Sequence, residues 1–148
     1  MWNSKKSIYL SLALTVVFAI GALVLCALMP HISKLYITAL GDPPHFQIVL
    51  LTIYYLFAAF SLYALYLLVR LLTHLLKGRV FTDENVRILR RLSWCSFIVG
   101  LIMFAGCYWF PLMIIFAMAF AFIGLMLRVV KHVMAEATRI RRENELTI

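Results

Sequence analysis

Four stretches of this 148-residue chain, residues 7–29, 46–69, 92–110 and 112–130, carry no charge in their interiors. A helix needs about 20 residues to cross a hydrocarbon core of about 30 Å. Each stretch has that length. Every other residue is therefore read against a bilayer: polar atoms inside it need partners, and charges outside it report sidedness. The expected fold is all-α and integral to a membrane, a single four-span bundle over residues 1–148.

Composition agrees. Hydrophobic residues make up 65% of the chain and charged residues 14%, against about 45–50% and about 25% in soluble domains. The net charge of +8 would suggest nucleic acid in a soluble protein. Its placement suggests topology. Lys5 and Lys6 precede the first span. Arg70, Lys77, Arg79, Arg87, Arg90 and Arg91 lie between the second and third. Arg128, Lys131, Arg139, Arg141 and Arg142 follow the fourth. Lys34 alone lies on the other side, with Asp42. By the positive-inside rule both termini and the 70–91 loop are cytoplasmic. The basic charge then faces anionic lipid, and no direct nucleic-acid role is expected.

The first span has the basic flank of a signal peptide but exceeds the usual apolar region of about 7–15 residues, and no small-x-small site follows. It is read as a retained span. Cys26, Cys95 and Cys107 lack metal-ligand spacing and read as packing residues. A Cys26–Cys107 disulfide toward the outer face is conceivable.

Beyond Met29-Pro30, the residues Ile32, Leu35, Tyr36, Ala39 and Leu40 recur on one helical face. Gly41 can cap that helix, and Asp42-Pro43-Pro44 stops it. A short amphipathic helix on the outer surface is expected, lying flat or folding back as a lid. In the second span Thr52, Tyr55, Tyr63, Tyr66, Arg70 and His74 share a stripe about 100° wide. Tyrosine hydroxyls in lipid need partners, so the stripe is expected to face the other helices, as a polar pocket or as plain interhelical packing. Gly78 is expected to end that helix. Thr82 is the N-cap of the next, with Asp83 and Glu84 suiting its dipole and Phe81 placed as a staple.

Ser96 and Gly100 in the third span, and Ala117, Ala121 and Gly124 in the fourth, suit close helix approach within one chain or between copies as a homo-oligomer. Tyr108-Trp109-Phe110-Pro111 reads as an outer turn in an aromatic belt. After Arg128 the helix is expected to continue in the cytoplasm over residues 131–144, with Val130, Val133, Met134, Ala137 and Ile140 as its apolar stripe.

Signatures of known chemistry do not occur: no Walker sequence, no Cys-x-x-Cys, no His-Glu-x-x-His and no nucleophile elbow. His31 and His45 flank the outer loop, with Asp42 as the sole nearby carboxylate, a weak basis for a metal site. His74 and His132 lie at the inner boundary. With no carboxylate in the spans, a proton or cation path is disfavoured. Neither an enzyme nor a cofactor is expected, and a channel or transporter is a minor reading.

The segment Gly78-Arg79-Val80-Phe81-Thr82-Asp83-Glu84-Asn85, followed by Leu89-Arg90, resembles the Gly-x-x-Phe-Thr-x-Glu-Asn motif of a bacterial family of small four-helix membrane proteins, DUF2975. The close, Glu143-Asn144-Glu145-Leu146-Thr147-Ile148, is similar to the Glu-Asn-x-Leu-Thr-Ile ending of that family. The resemblance covers essentially the whole chain. It implies the cytoplasmic membrane of a bacterium and no established activity. Its members are commonly encoded beside small Xre-type helix-turn-helix regulators, which suggests a membrane partner for such a regulator.

Two expectations follow. One is a cytoplasmic partner platform built from Phe81, Thr82, Glu84, Asn85, Arg87, Arg90, Arg139, Glu143, Asn144 and Leu146. Its alternative is structural closure, in which Thr82, Glu84 and Asn85 cap a helix and bind Arg or backbone of the C-terminal segment. The other is an intramembrane site for a small ligand, lipid or antimicrobial peptide along Thr52, Tyr55, Tyr63, Tyr66 and Arg70, as in an immunity protein.

Overall fold

The computed structural model describes residues 4–41 and 43–147. It contains α1 (Ser4–Leu40), α2 (Pro44–Leu76), α3 (Asp83–Gly106) and α4 (Met113–Leu146), with no strand among the described residues. All four helices are long and apolar enough to span a membrane. At 1.5 Å per residue, the 37 residues of α1 reach about 55 Å and the 24 of α3 about 36 Å. The longer helices therefore project well beyond a hydrocarbon core. Short turns place the start of α1, the end of α4 and the α2–α3 loop at one end, the basic end. The α1–α2 and α3–α4 turns lie at the other, the aromatic end.

Residues 31–40 are helical and stop at Gly41, whose φ of 71° is the left-handed cap expected there. They are not a separate surface helix. They continue α1 straight through Pro30. A proline removes the bond to the carbonyl four residues back, here that of Cys26. The Tyr55 hydroxyl of α2 donates to that carbonyl at 3.2 Å. Ser33, fully buried, donates to the Pro30 carbonyl at 3.1 Å and accepts from Gln47 Nε2 at 3.4 Å. Side chains of α2 thus satisfy the defect, and the helix crosses the proline. Asp42 lies outside the described residues.

The helices pack in series. α1 lies on α2, α2 on α3 and α3 on α4; among the described residues the backbone of α1 approaches neither α3 nor α4, and that of α2 does not approach α4. The result is two helical hairpins joined through α2 and α3, not a closed ring. The accessible surface is 10371 Å², where a compact protein of this mass would expose about 7,700 Å². Much of the excess is apolar side chain on α1 and α4, the surface a bilayer covers.

The α3–α4 seam is closest. A Cβ on Gly100 would sit 3.3 Å from the Ala117 carbonyl and 3.4 Å from the Ala121 nitrogen. Buried Ser93 donates to the Gly124 carbonyl at 2.9 Å. Gly106 fits against Met113 and Ile53. Gly100, Ala117 and Gly124 are therefore spent inside the chain and are not free to join two copies. One core, Leu67, Leu71, Ile88, Leu89 and Leu92, fills the α2–α3 elbow. A second, Val99, Met103 and Ala117, receives Phe57 from α2 and Phe120 from α4, whose rings meet at 5.7 Å. Thr15, Thr52, Thr73 and Thr138 bond carbonyls one turn back, so none needs a partner helix. All three cysteines are free, and the conceivable Cys26–Cys107 disulfide is not formed.

Candidate functional site

At the basic end, α2 closes with a Schellman arrangement. Gly78, at φ 73°, donates to the Leu75 carbonyl, and Arg79 donates to that of His74, both at 3.0 Å. Four residues on, Thr82 caps α3 and accepts from the Asn85 backbone N–H at 3.3 Å. The turn is fastened by the Asn85 side chain, which is 0% exposed. Its Nδ2 donates to the Arg79 carbonyl at 2.7 Å and the Val80 carbonyl at 2.9 Å. Its Oδ1 lies 2.9 Å from His74 Nδ1. Both amide hydrogens are already used, so the oxygen accepts and His74 Nδ1 carries the proton. One side chain therefore holds the end of α2, the loop and the start of α3 together.

Glu84 pairs with Arg70 across the elbow, with His74 Nε2 at 3.9 Å from the same carboxylate. The carboxylate that partners Arg70 thus comes from the first turn of α3, ahead of the uncharged stretch 92–110. Asp83 pairs with Arg142 and ties the start of α3 to the far end of α4. Both pairs are substantially exposed, so each contributes little stability; they set which surfaces lie side by side.

Phe81 is exposed and, with Ala137, Ile140, Arg141, Asn144 and Glu145, lines a shallow groove of about 440 Å³. A neighbouring hollow of about 400 Å³ runs from Gly78 to Asp83 and along Thr138, Arg141, Arg142 and Glu145. Phe81, Thr82 and Asn144 therefore come together on one surface, with buried Asn85 beneath the loop that carries Phe81, while Glu84 faces the Arg70 side. The other expected platform residues disperse. Arg87 borders a notch with Arg70, Glu84 and Arg91. Arg90 borders another with Trp94, Arg128 and Lys131. Arg139 pairs with Glu136 and Glu143 along its own helix. Leu146 is 82% exposed, and Ile148 lies outside the described residues.

The tyrosine stripe does not face the other helices along its length. Tyr55, Tyr63 and Tyr66 are exposed, Tyr66 at 59%. The buried side of α2 is instead Ile53, Ala58, Leu67 and Leu71. Tyr55 reaches sideways to α1; Arg70 and His74 reach α3. The period placed these residues on one face correctly, but the core lies on the apolar side of the helix. Apolar packing at Leu67 and Leu71 against Ile88 and Leu92 settled which face turned inward.

At the aromatic end, where the sequence suggested an aromatic belt and an amphipathic helix lying flat or folded back as a lid, the hairpins border an open cavity of about 670 Å³. Met29, Ile32, Ser33 and Tyr36 of α1, Phe46 and Leu50 of α2, and Trp109 to Met113 with Phe116 line it. The Phe46 and Phe110 rings meet edge-on at 6.1 Å and close one wall. Its sequence signal was the α1 stripe Ile32, Leu35, Tyr36, Ala39, Leu40, of which Ile32, Tyr36 and Leu40 line the cavity. Among the described residues no three His, Cys, Asp or Glu side chains lie close enough to hold a metal ion.

The chain is 25% identical over 160 residues to an uncharacterized membrane protein of Bacillus subtilis (strain 168), YoaS, with 99% of each chain covered. No solved structure matches it. Residues 7–148 match the family model described as protein of unknown function, DUF2975, so four apolar helices, the capped Phe-Thr-x-Glu-Asn elbow and the full-length match together place this chain in the DUF2975 family of multi-pass membrane proteins.

Proposed function

We propose that this protein is a non-enzymatic membrane partner whose basic end, on the cytoplasmic side of a bacterial cytoplasmic membrane, docks a small Xre-type helix-turn-helix regulator. The observation that carries this reading is the groove beside Phe81. An exposed phenylalanine in a loop lies next to the apolar stripe of a helix end, Ala137 and Ile140, within a rim of Arg141, Asn144 and Glu145. Exposed apolar surface outside a membrane span, rimmed by polar residues, is the usual mark of a protein contact. The groove suits an amphipathic helix of a partner, which would lay its apolar face on Phe81 and Ile140.

Thr82, Glu84 and Asn85 serve this platform by fixing the elbow that carries Phe81. Their side chains are engaged within the chain, so they hold Phe81 in place and do not meet a partner. The test is a photoreactive residue at Ile140, crosslinked in native membranes. Capture of a small helix-turn-helix protein, reduced at least tenfold by Phe81→Ala, is the expected result. Capture of lipid or of the chain itself alone would contradict the reading.

A further inference from the structure

The cavity at the aromatic end lies far from the platform and does not depend on it. Three features define its chemistry. First, its walls are almost wholly apolar: Met29, Ile32, Leu50, Phe110, Met113 and Phe116. Second, its polar atoms are few. The Ser33 hydroxyl is taken up by Pro30 and Gln47, which leaves the Tyr36 hydroxyl and the Trp109 indole N–H. Tyrosine and tryptophan sit at the level of lipid headgroups in membrane proteins. Third, the helices that form its two sides, α1 and α4, do not approach each other among the described residues. A gap therefore separates the two helices, and both carry exposed apolar residues on the membrane side of the cavity, Leu25 and Leu28 on α1 and Ile115 and Phe116 on α4. That is the surface in contact with hydrocarbon.

A volume of about 670 Å³ falls within the range of about 300–1,000 Å³ typical of small-molecule sites. A void of that size, beside the bilayer and almost wholly apolar, is filled by what the bilayer supplies. We infer that this cavity is a binding site for one acyl chain of a bilayer phospholipid, entered sideways between α1 and α4. The lipid's ester and phosphate oxygens accept from Tyr36 and Trp109 at the rim. The polar end thus sits at headgroup depth and the chain runs inward past Ile32, Leu50 and Phe116.

Trp109 reports on occupancy. Replacing the two other tryptophans (Trp2→Phe, Trp94→Phe) leaves it as the sole indole fluorophore. The protein in maltoside micelles is titrated with phosphatidylglycerol brominated along its chains. The expected result is quenching that saturates while the brominated lipid is still a minor component, and that unbrominated phosphatidylglycerol reverses. Filling the cavity with Ile32→Phe and Leu50→Phe should abolish the saturable component. A melting temperature close to that of the parent shows that this variant is folded. Quenching that rises in proportion to the brominated fraction, equally in parent and filled protein, would reduce the cavity to ordinary lipid-facing surface and overturn the inference. Absence of quenching with a doubled protein mass by light scattering would assign the cavity to a second copy and also overturn it.

Discussion

The two hairpins solve the same problem by different means. In α3–α4, small residues let two backbones come close: Gly100 meets Ala117 and Ala121, and Ser93 reaches Gly124. In α1–α2, large aliphatic residues surround α1, and polar contacts near Pro30 help to hold it to α2. Gly21 of α1 has nothing within 4 Å of where a Cβ would lie. Between helices in lipid, hydrophobicity offers no drive to associate, so close packing and hydrogen bonds do the holding. A glycine on a lipid-facing side is therefore inert, and a glycine in a seam is structural. Hydropathy alone does not distinguish them.

Substitutions can break this contrast, beginning with the elbow that joins the hairpins. Asn85→Ala removes the donors to the Arg79 and Val80 carbonyls and the acceptor for His74. Lost partners of this kind cost about 1–3 kcal/mol each when buried. A loss of about 2–4 kcal/mol is expected, read as a lowered melting temperature in detergent. Gly100→Leu forces a side chain against the α4 backbone and should cost about 1–3 kcal/mol. Gly21→Leu, the same exchange on α1, should stay within about 0.5 kcal/mol. Equal losses at the two glycines would remove the distinction between the hairpins.

Tyr55→Phe should cost about 0.5–1.5 kcal/mol, in the range of interhelical hydrogen bonds in membranes. Pro30→Ala restores at position 30 the N–H donor that the Cys26 carbonyl lacks. In that background Tyr55→Phe should cost much less, and a double-mutant cycle measures the coupling. Full additivity would mean that the tyrosine does not compensate the proline. Arg142→Ala should have a small effect, about 0–1 kcal/mol, because its pair with Asp83 is exposed.

The spans, the Gly41 and Gly78 ends and the Thr82 cap were legible in the sequence because each is a local matter of length, φ or one hydrogen bond. The close approach at Gly100 was legible as a tendency, since small residues at helical spacing mean a close neighbour somewhere. The partner helix was not. The unbroken α1 was hidden because proline signals a stop, and its rescue comes from Tyr55, 29 residues away. Arg70 pairs with Glu84 for the same reason: the loop folds back further than spacing shows. The tyrosine stripe was found by period but faced outward, since period does not say which side the core takes. Of the aromatic-end cavity only one wall was legible, the apolar stripe with Ile32, Tyr36 and Leu40; its existence arises from a missing contact, α1 against α4, which no residue pattern encodes.

That missing contact is the centre of the account, and disulfide trapping in native membranes measures it. A disulfide needs Cα atoms within about 7 Å, and among the described residues no α1–α4 pair lies within 8 Å. In a cysteine-free background, Ser33→Cys with Gln47→Cys should crosslink on mild oxidation, since those side chains touch across α1 and α2. Ile32→Cys with Phe116→Cys, facing each other across the cavity, should not. Efficient crosslinking of the second pair would show a closed four-helix ring and contradict the open arrangement described here.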